Sequence, residues 1–98
     1  KKIKSTRDVR VNTVIRVYRK GFGYARLIVI DNTDHFISVS VGESFVKSVM
    51  PGDVLDAYLW VNHGASYEFQ LEVIGKFEID LRLVFFKHCD SMKWSAER

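Results

Sequence analysis

Along most of this chain the apolar residues fall on every second position. Val9, Val11, Thr13, Ile15 and Val17 share one parity, while Arg10, Asn12, Arg16 and Tyr18 take the other, and only Val14 breaks the pattern. A period of two is that of a strand with one dry face and one wet face. Lys20-Gly21-Phe22-Gly23 interrupts it with two glycines that can take positive φ, and a second strand follows from Tyr24 to Ile30. Asp31-Asn32-Thr33-Asp34 reads as a turn, because these short polar side chains can bond their own backbone. The third strand, Phe36 to Val41, puts Ile37, Val39 and Val41 inward and Ser38 and Ser40 outward.

After a connection over Gly42 to Met50, with Phe45, Val46 and Val49 as apolar anchors, Pro51-Gly52-Asp53 gives a strong turn signal. Val54 to Val61 makes a fourth strand, closed by Asn62-His63-Gly64-Ala65. Tyr67, Phe69, Leu71 and Val73 then alternate with Glu68, Gln70 and Glu72. Gly75-Lys76 is expected to connect this strand tightly to a sixth, in which Phe77, Ile79, Leu81, Leu83 and Phe85 face inward. Six short antiparallel strands, each with one apolar face, predict an all-β fold. A small closed or nearly closed six-stranded barrel buries those faces without leaving long open edges. Past the last strand, Asp90 or Ser91 can cap a short C-terminal helix through Met92-Lys93-Trp94.

The 98 residues predict one domain. At this length roughly 60–65% of the unfolded surface is buried, enough for one thin core without metals or disulfides. Composition adds little (47% hydrophobic, one proline), but charge is distributed unevenly. Nine Lys and Arg face Asp8 alone in residues 1–26, whereas residues 27–98 hold six basic and eleven acidic residues. Such an end favours an anionic partner, and residues 1–9 read as a basic arm. There is no run of eighteen apolar residues and no apolar leader, so neither a membrane span nor a signal peptide is expected. The single cysteine, Cys89, excludes an internal disulfide and suits a cytoplasmic location.

Enzyme signatures are missing. There is no Gly-x-Ser-x-Gly, no phosphate loop ending in Gly-Lys-Ser/Thr and no His-Glu-x-x-His. His35, His63 and His88 lie one per segment, which does not suggest a metal site, and Cys89 lacks an evident base. A non-enzymatic binding module, without cofactor, is the expectation.

Two binding chemistries fit the hairpin from Lys20 to Val41. Lys20-Gly21-Phe22-Gly23-Tyr24-Ala25 resembles the first ribonucleoprotein motif of cold-shock and RNA-recognition domains, and Asp34-His35-Phe36-Ile37-Ser38 resembles the second motif of cold-shock domains. That resemblance implies a single-stranded nucleic-acid binder in which Phe22, Tyr24 and Phe36 stack on bases and Lys20 meets phosphate. A cold-shock barrel, however, closes in five strands and continues its first motif with an apolar residue and proline, where this chain has Arg26-Leu27-Ile28.

The second resemblance covers Arg7 to Trp94. The basic Arg7-Asp8-Val9-Arg10-Val11, the strand end Ile30-Asp31-Asn32-Thr33-Asp34-His35-Phe36, the turn Met50-Pro51-Gly52-Asp53, then Phe69-Gln70-Leu71-Glu72-Val73 and Leu81-Arg82-Leu83-Val84-Phe85 follow the order and spacing of PilZ domains. Those six-stranded bacterial barrels bind cyclic di-GMP and act as effectors of that messenger. The resemblance implies cyclic di-GMP as ligand, with Arg7 and Arg10 on phosphates and Asp31 and Thr33 on guanine edges. Both motifs depart from the family's. Arg-x-x-Arg replaces Arg-x-x-x-Arg, which in extended chain moves the two side chains to opposite faces, and Phe36 stands where the family keeps glycine. The chain equally resembles the motif-lacking accessory barrel of flagellar-brake-type proteins, which implies relay by contact with an effector protein or an adjoining domain beyond Ala96-Glu97-Arg98.

Overall fold

The computed structural model describes residues 3–61 and 65–95. Seven strands appear in chain order: β1 (Val14–Arg19), β2 (Gly23–Asn32), β3 (Ile37–Ser40), β4 (Val54–Trp60), β5 (Ser66–Phe77), β6 (Leu83–Lys87) and β7 (Lys93–Ser95). A 3₁₀ turn, Thr6–Asp8, precedes them, and a short helix α1, Glu43–Ser48, lies between β3 and β4. The order β4-β1-β2-β3-β6-β5 closes through β4–β5, so six antiparallel strands form the expected barrel and β7 is an extra strand on β5.

Closure follows from the alternation. Ile15 and Val17 of β1, Leu27 and Val29 of β2, Val39 of β3, Leu71 and Val73 of β5 and Phe86 of β6 are fully buried in one core. Each such side chain contributes about 1.5–3 kcal/mol on leaving water. β5 is long enough to serve both halves. Residues Ser66 to Glu72 pair with β4, and Glu72 to Phe77 pair with β6.

The structure departs from the sequence pattern at several places. In β6 the fully buried residues are Val84 and Phe86 rather than Leu83 and Phe85, and in β3 Ser38, expected outward, is buried. Gly75-Lys76 is not a turn: β5 runs through it to Phe77, and the register shifts between Val73 and Gly75. The added residue, Ile74, faces out, the strand bends, and the connection to β6 falls at residues 78–82. Ile79 and Leu81, expected inward, are consequently 79% and 62% exposed. Residues Val9 to Thr13 do not join β1, because Asn12 takes a left-handed φ of 76° in a turn closed by the Thr13 N–H on the Arg10 carbonyl. The connection after β3 contains α1, whose Val46 is buried.

Nor are residues 3–9 a free arm, since Thr6 and Val9 are buried and Ile3 packs on the core. The C-terminal stretch does not start a helix at Asp90. Lys93–Ser95 pairs antiparallel with Ser66–Glu68 instead, and Trp94 lies edge-on to Tyr67, ring centroids 5.0 Å apart. Residues 96–98, and most of the turn expected at Asn62-His63-Gly64, fall outside the described residues.

Candidate functional site

The β2–β3 turn is built by its own side chains. The Asp31 carboxylate accepts the Asn32 N–H, and Thr33 Oγ1 accepts the N–H groups of His35 and Phe36. A register shift between Val29 and Asp31 leaves the exposed Ile30 without a partner on β3 and sets Asn32 opposite Ile37. Asn32 then bridges the two segments: its amide donates to the carbonyls of Thr6 (2.9 Å), Val9 (2.7 Å) and Arg7 (3.4 Å).

Arg7 reaches the same turn from the other side. Its guanidinium donates to the Asp34 carbonyl at 2.8 Å and, through Nε, to the Asp90 carboxylate at 3.1 Å. Hydrogen bonds from Ser5 and then Arg7 hold the Asp90 carboxyl below the usual carboxylate range. His88 completes the cluster. One ring nitrogen lies 2.7 Å from the Thr33 carbonyl, which can only accept, so Nε2 carries the proton there. In a neutral ring Nδ1 then accepts from the buried Thr6 hydroxyl at 2.9 Å, and that hydroxyl in turn accepts the Cys89 N–H. Three chain segments, 5–9, 31–34 and 88–90, thus form one polar joint.

Of the four residues expected to hold a dinucleotide, Arg7, Asp31 and Thr33 are brought into this joint. Arg10 is exposed beyond the 3₁₀ turn, and none of the joint's hydrogen bonds involves its side chain. Phe36 is half-buried, its ring edge-on to Phe85 with centroids 5.2 Å apart. Asn32 and His88 hold the joint together but carry no pattern that marks them in the sequence. Only Asn32's place inside the Asp-Asn-Thr-Asp turn was a signal.

Of the three rings expected to stack on bases, Phe22 and Tyr24 are 64% and 62% exposed, and Phe36 is half-buried. Gly21 and Gly23 take φ of +91° and +80°, and Phe22 between them lines a cleft of about 270 Å³ beside α1, with Arg19, Ala25, Phe45 and Ser48. Phe36 lies with Phe85, on strands β3 and β6. Tyr24, 62% exposed, gains partners the sequence did not suggest: Tyr18 at 5.1 Å and Tyr58 at 6.1 Å between ring centroids. Burial, then neighbouring Tyr24, Asp56, Glu68 and Tyr18, raises the Tyr58 hydroxyl pKa, so it stays protonated at neutral pH.

No known family model matches this chain, and no curated protein does. Among the described residues no helix is long and apolar enough to cross a membrane, and no group of three or more potential ligands is gathered for a metal ion.

Proposed function

We propose that this chain is a PilZ-like module of cyclic di-GMP signalling, in a form that relays the signal by protein contact rather than by holding the dinucleotide itself. One observation carries the reading: Arg7 and the Asp31–Thr33 turn, the two motifs of the resemblance, meet at one patch of a closed six-stranded barrel. Within that patch the groups a ligand would need are engaged internally. The Arg7 guanidinium is held by Asp90 and the Asp34 carbonyl, Thr33 Oγ1 by two backbone N–H groups, and Arg10 lies outside. Where a receptor would present free guanidinium groups and a glycine, this barrel has a joint between its ends.

Calorimetry and a cell experiment test the two halves of the proposal. Titration with cyclic di-GMP is expected to give no saturable heat; saturable binding lost in Arg7→Ala makes the chain a receptor instead. In the organism that encodes it, deleting the chain should abolish the response of surface attachment or motility to raised cyclic di-GMP. A response of undiminished size overturns the signalling role.

A further inference from the structure

On the outer face of β1, β2 and β4, away from the joint, the register sets three rows of side chains. Tyr24 lies opposite Tyr18, and Arg26 opposite Arg16, which is itself opposite Tyr58. Trp60, two residues along from Tyr58, carries the Arg16 guanidinium 4.1 Å above its ring centroid. Aromatic rings therefore lie on both sides of a pair of guanidinium groups, with successive rows about 6.8 Å apart along the strands.

Two features single out this face. Like charges directly opposite on neighbouring strands are unfavourable, and no ion pair to Arg16 or Arg26 occurs among the described residues. The arrangement is relieved by an anion placed between them. The rings beside them are also open to solvent: Tyr24 is 62% and Trp60 53% exposed, where a surface without a partner gains little from large aromatics.

We infer that this face binds single-stranded nucleic acid, with a phosphodiester between Arg16 and Arg26 and bases stacked on Tyr24 and on the Trp60 side. The alternation of ring, cation and ring matches the alternation of base, phosphate and base in an extended strand. A duplex offers its phosphates but keeps its bases stacked inside, and cannot use the rings. On the far side, Asp56 opposite Tyr18 and Glu68 opposite Tyr58 repel phosphate. They confine the backbone to the β1–β2 side. This inference goes beyond the signalling proposal and uses none of the joint's residues.

Fluorescence anisotropy of a short labelled oligothymidylate, titrated with the protein at several salt concentrations, tests it. Saturable binding is expected, weakened roughly 5- to 150-fold in Tyr24→Ala and restored in Tyr24→Phe, which keeps the ring. Arg26→Gln should lower the slope of log affinity against log salt by about 0.7, the contribution of one phosphate on a single strand. Arg7→Ala, at the joint, should leave binding unchanged, so failure here is separable from failure of the cyclic di-GMP reading. The inference is overturned by absence of saturable binding at low salt. It is equally overturned by equal affinity for a duplex of the same length, by indifference to Tyr24→Ala in a protein with native circular dichroism, or by loss of binding in Arg7→Ala.

Discussion

Arg16 and Arg26 face each other across β1 and β2, two cations in register on one surface of the barrel. Cross-strand pairs of opposite charge contribute roughly 0.2–1 kcal/mol and like pairs oppose folding by a similar amount. Arg26→Glu should therefore raise the urea midpoint slightly while abolishing oligonucleotide binding. A variant that is both less stable and non-binding would count against the opposed pair as a site kept for a ligand.

Asp90 gives the joint a defined pH dependence. Its folded-state pKa lies below the ordinary carboxylate value, so the native state binds its proton more weakly than the unfolded chain does. The stabilisation is then fully present above the ordinary carboxylate range and disappears as pH falls through the depressed folded value. The thermal midpoints of wild type and Asp90→Asn should differ by a small, constant amount near neutrality and converge below about pH 4. Being exposed, the pair should also lose effect in high salt.

Asn32 is the joint's main tie. Replacing it with Ala leaves the Val9 carbonyl without its donor and the Thr6 carbonyl with the Val9 N–H alone, at a cost of about 1–3 kcal/mol. Asn32→Asp should be worse, since it points a carboxylate at the same carbonyls. Urea denaturation of the two variants gives the order directly; equal stability would show that water replaces the amide without loss.

The misplaced turn offers a contrast within one hairpin. Leu71→Ala in the core should cost about 2–5 kcal/mol, whereas Leu81→Ala, at the loop between β5 and β6, should stay within about 0.5 kcal/mol of wild type. Comparable losses at both would restore Leu81 to an inward-facing strand.

Gly52 provides a backbone test. Its φ of +98° disfavours any side chain, although a Cβ there would meet nothing within 4 Å. Gly52→Ala should therefore cost about 1–2 kcal/mol through backbone conformation alone, read as a shift in midpoint with an unchanged denaturant slope.

The barrel was legible because alternation survives any arrangement of strands: Tyr67, Phe69, Leu71 and Val73 face inward whatever lies beside them. What escaped is set by neighbours rather than by local pattern. The bulges at Ile30 and Ile74 reverse which residues face the core, and nothing in a run of apolar residues distinguishes a bulge from regular pleat. Gly75 has the composition of a turn but sits in a strand beside Phe85, where a small residue suits the packing. The joint was half legible. Arg7, Asp31 and Thr33 stand out through the order of two motifs, while His88 and Asp90 join them only because β6 ends beside the turn. The Tyr18–Tyr24–Tyr58 group is a product of register, and register is not written in either strand alone.

The joint also sets a schedule for synthesis. Thr6 and Arg7 find their partners at Cys89 and Asp90, 83 residues later in the chain. At about 5–20 residues per second, a ribosome needs roughly 4–17 s to make that interval, and more to clear the far end from its tunnel. Until then the N-terminal segment waits beside an unclosed sheet with no native contact of its own to residues 88–90. Emergence of residues 88–90, rather than any earlier hairpin, is the event that lets the two ends of the barrel be fastened together.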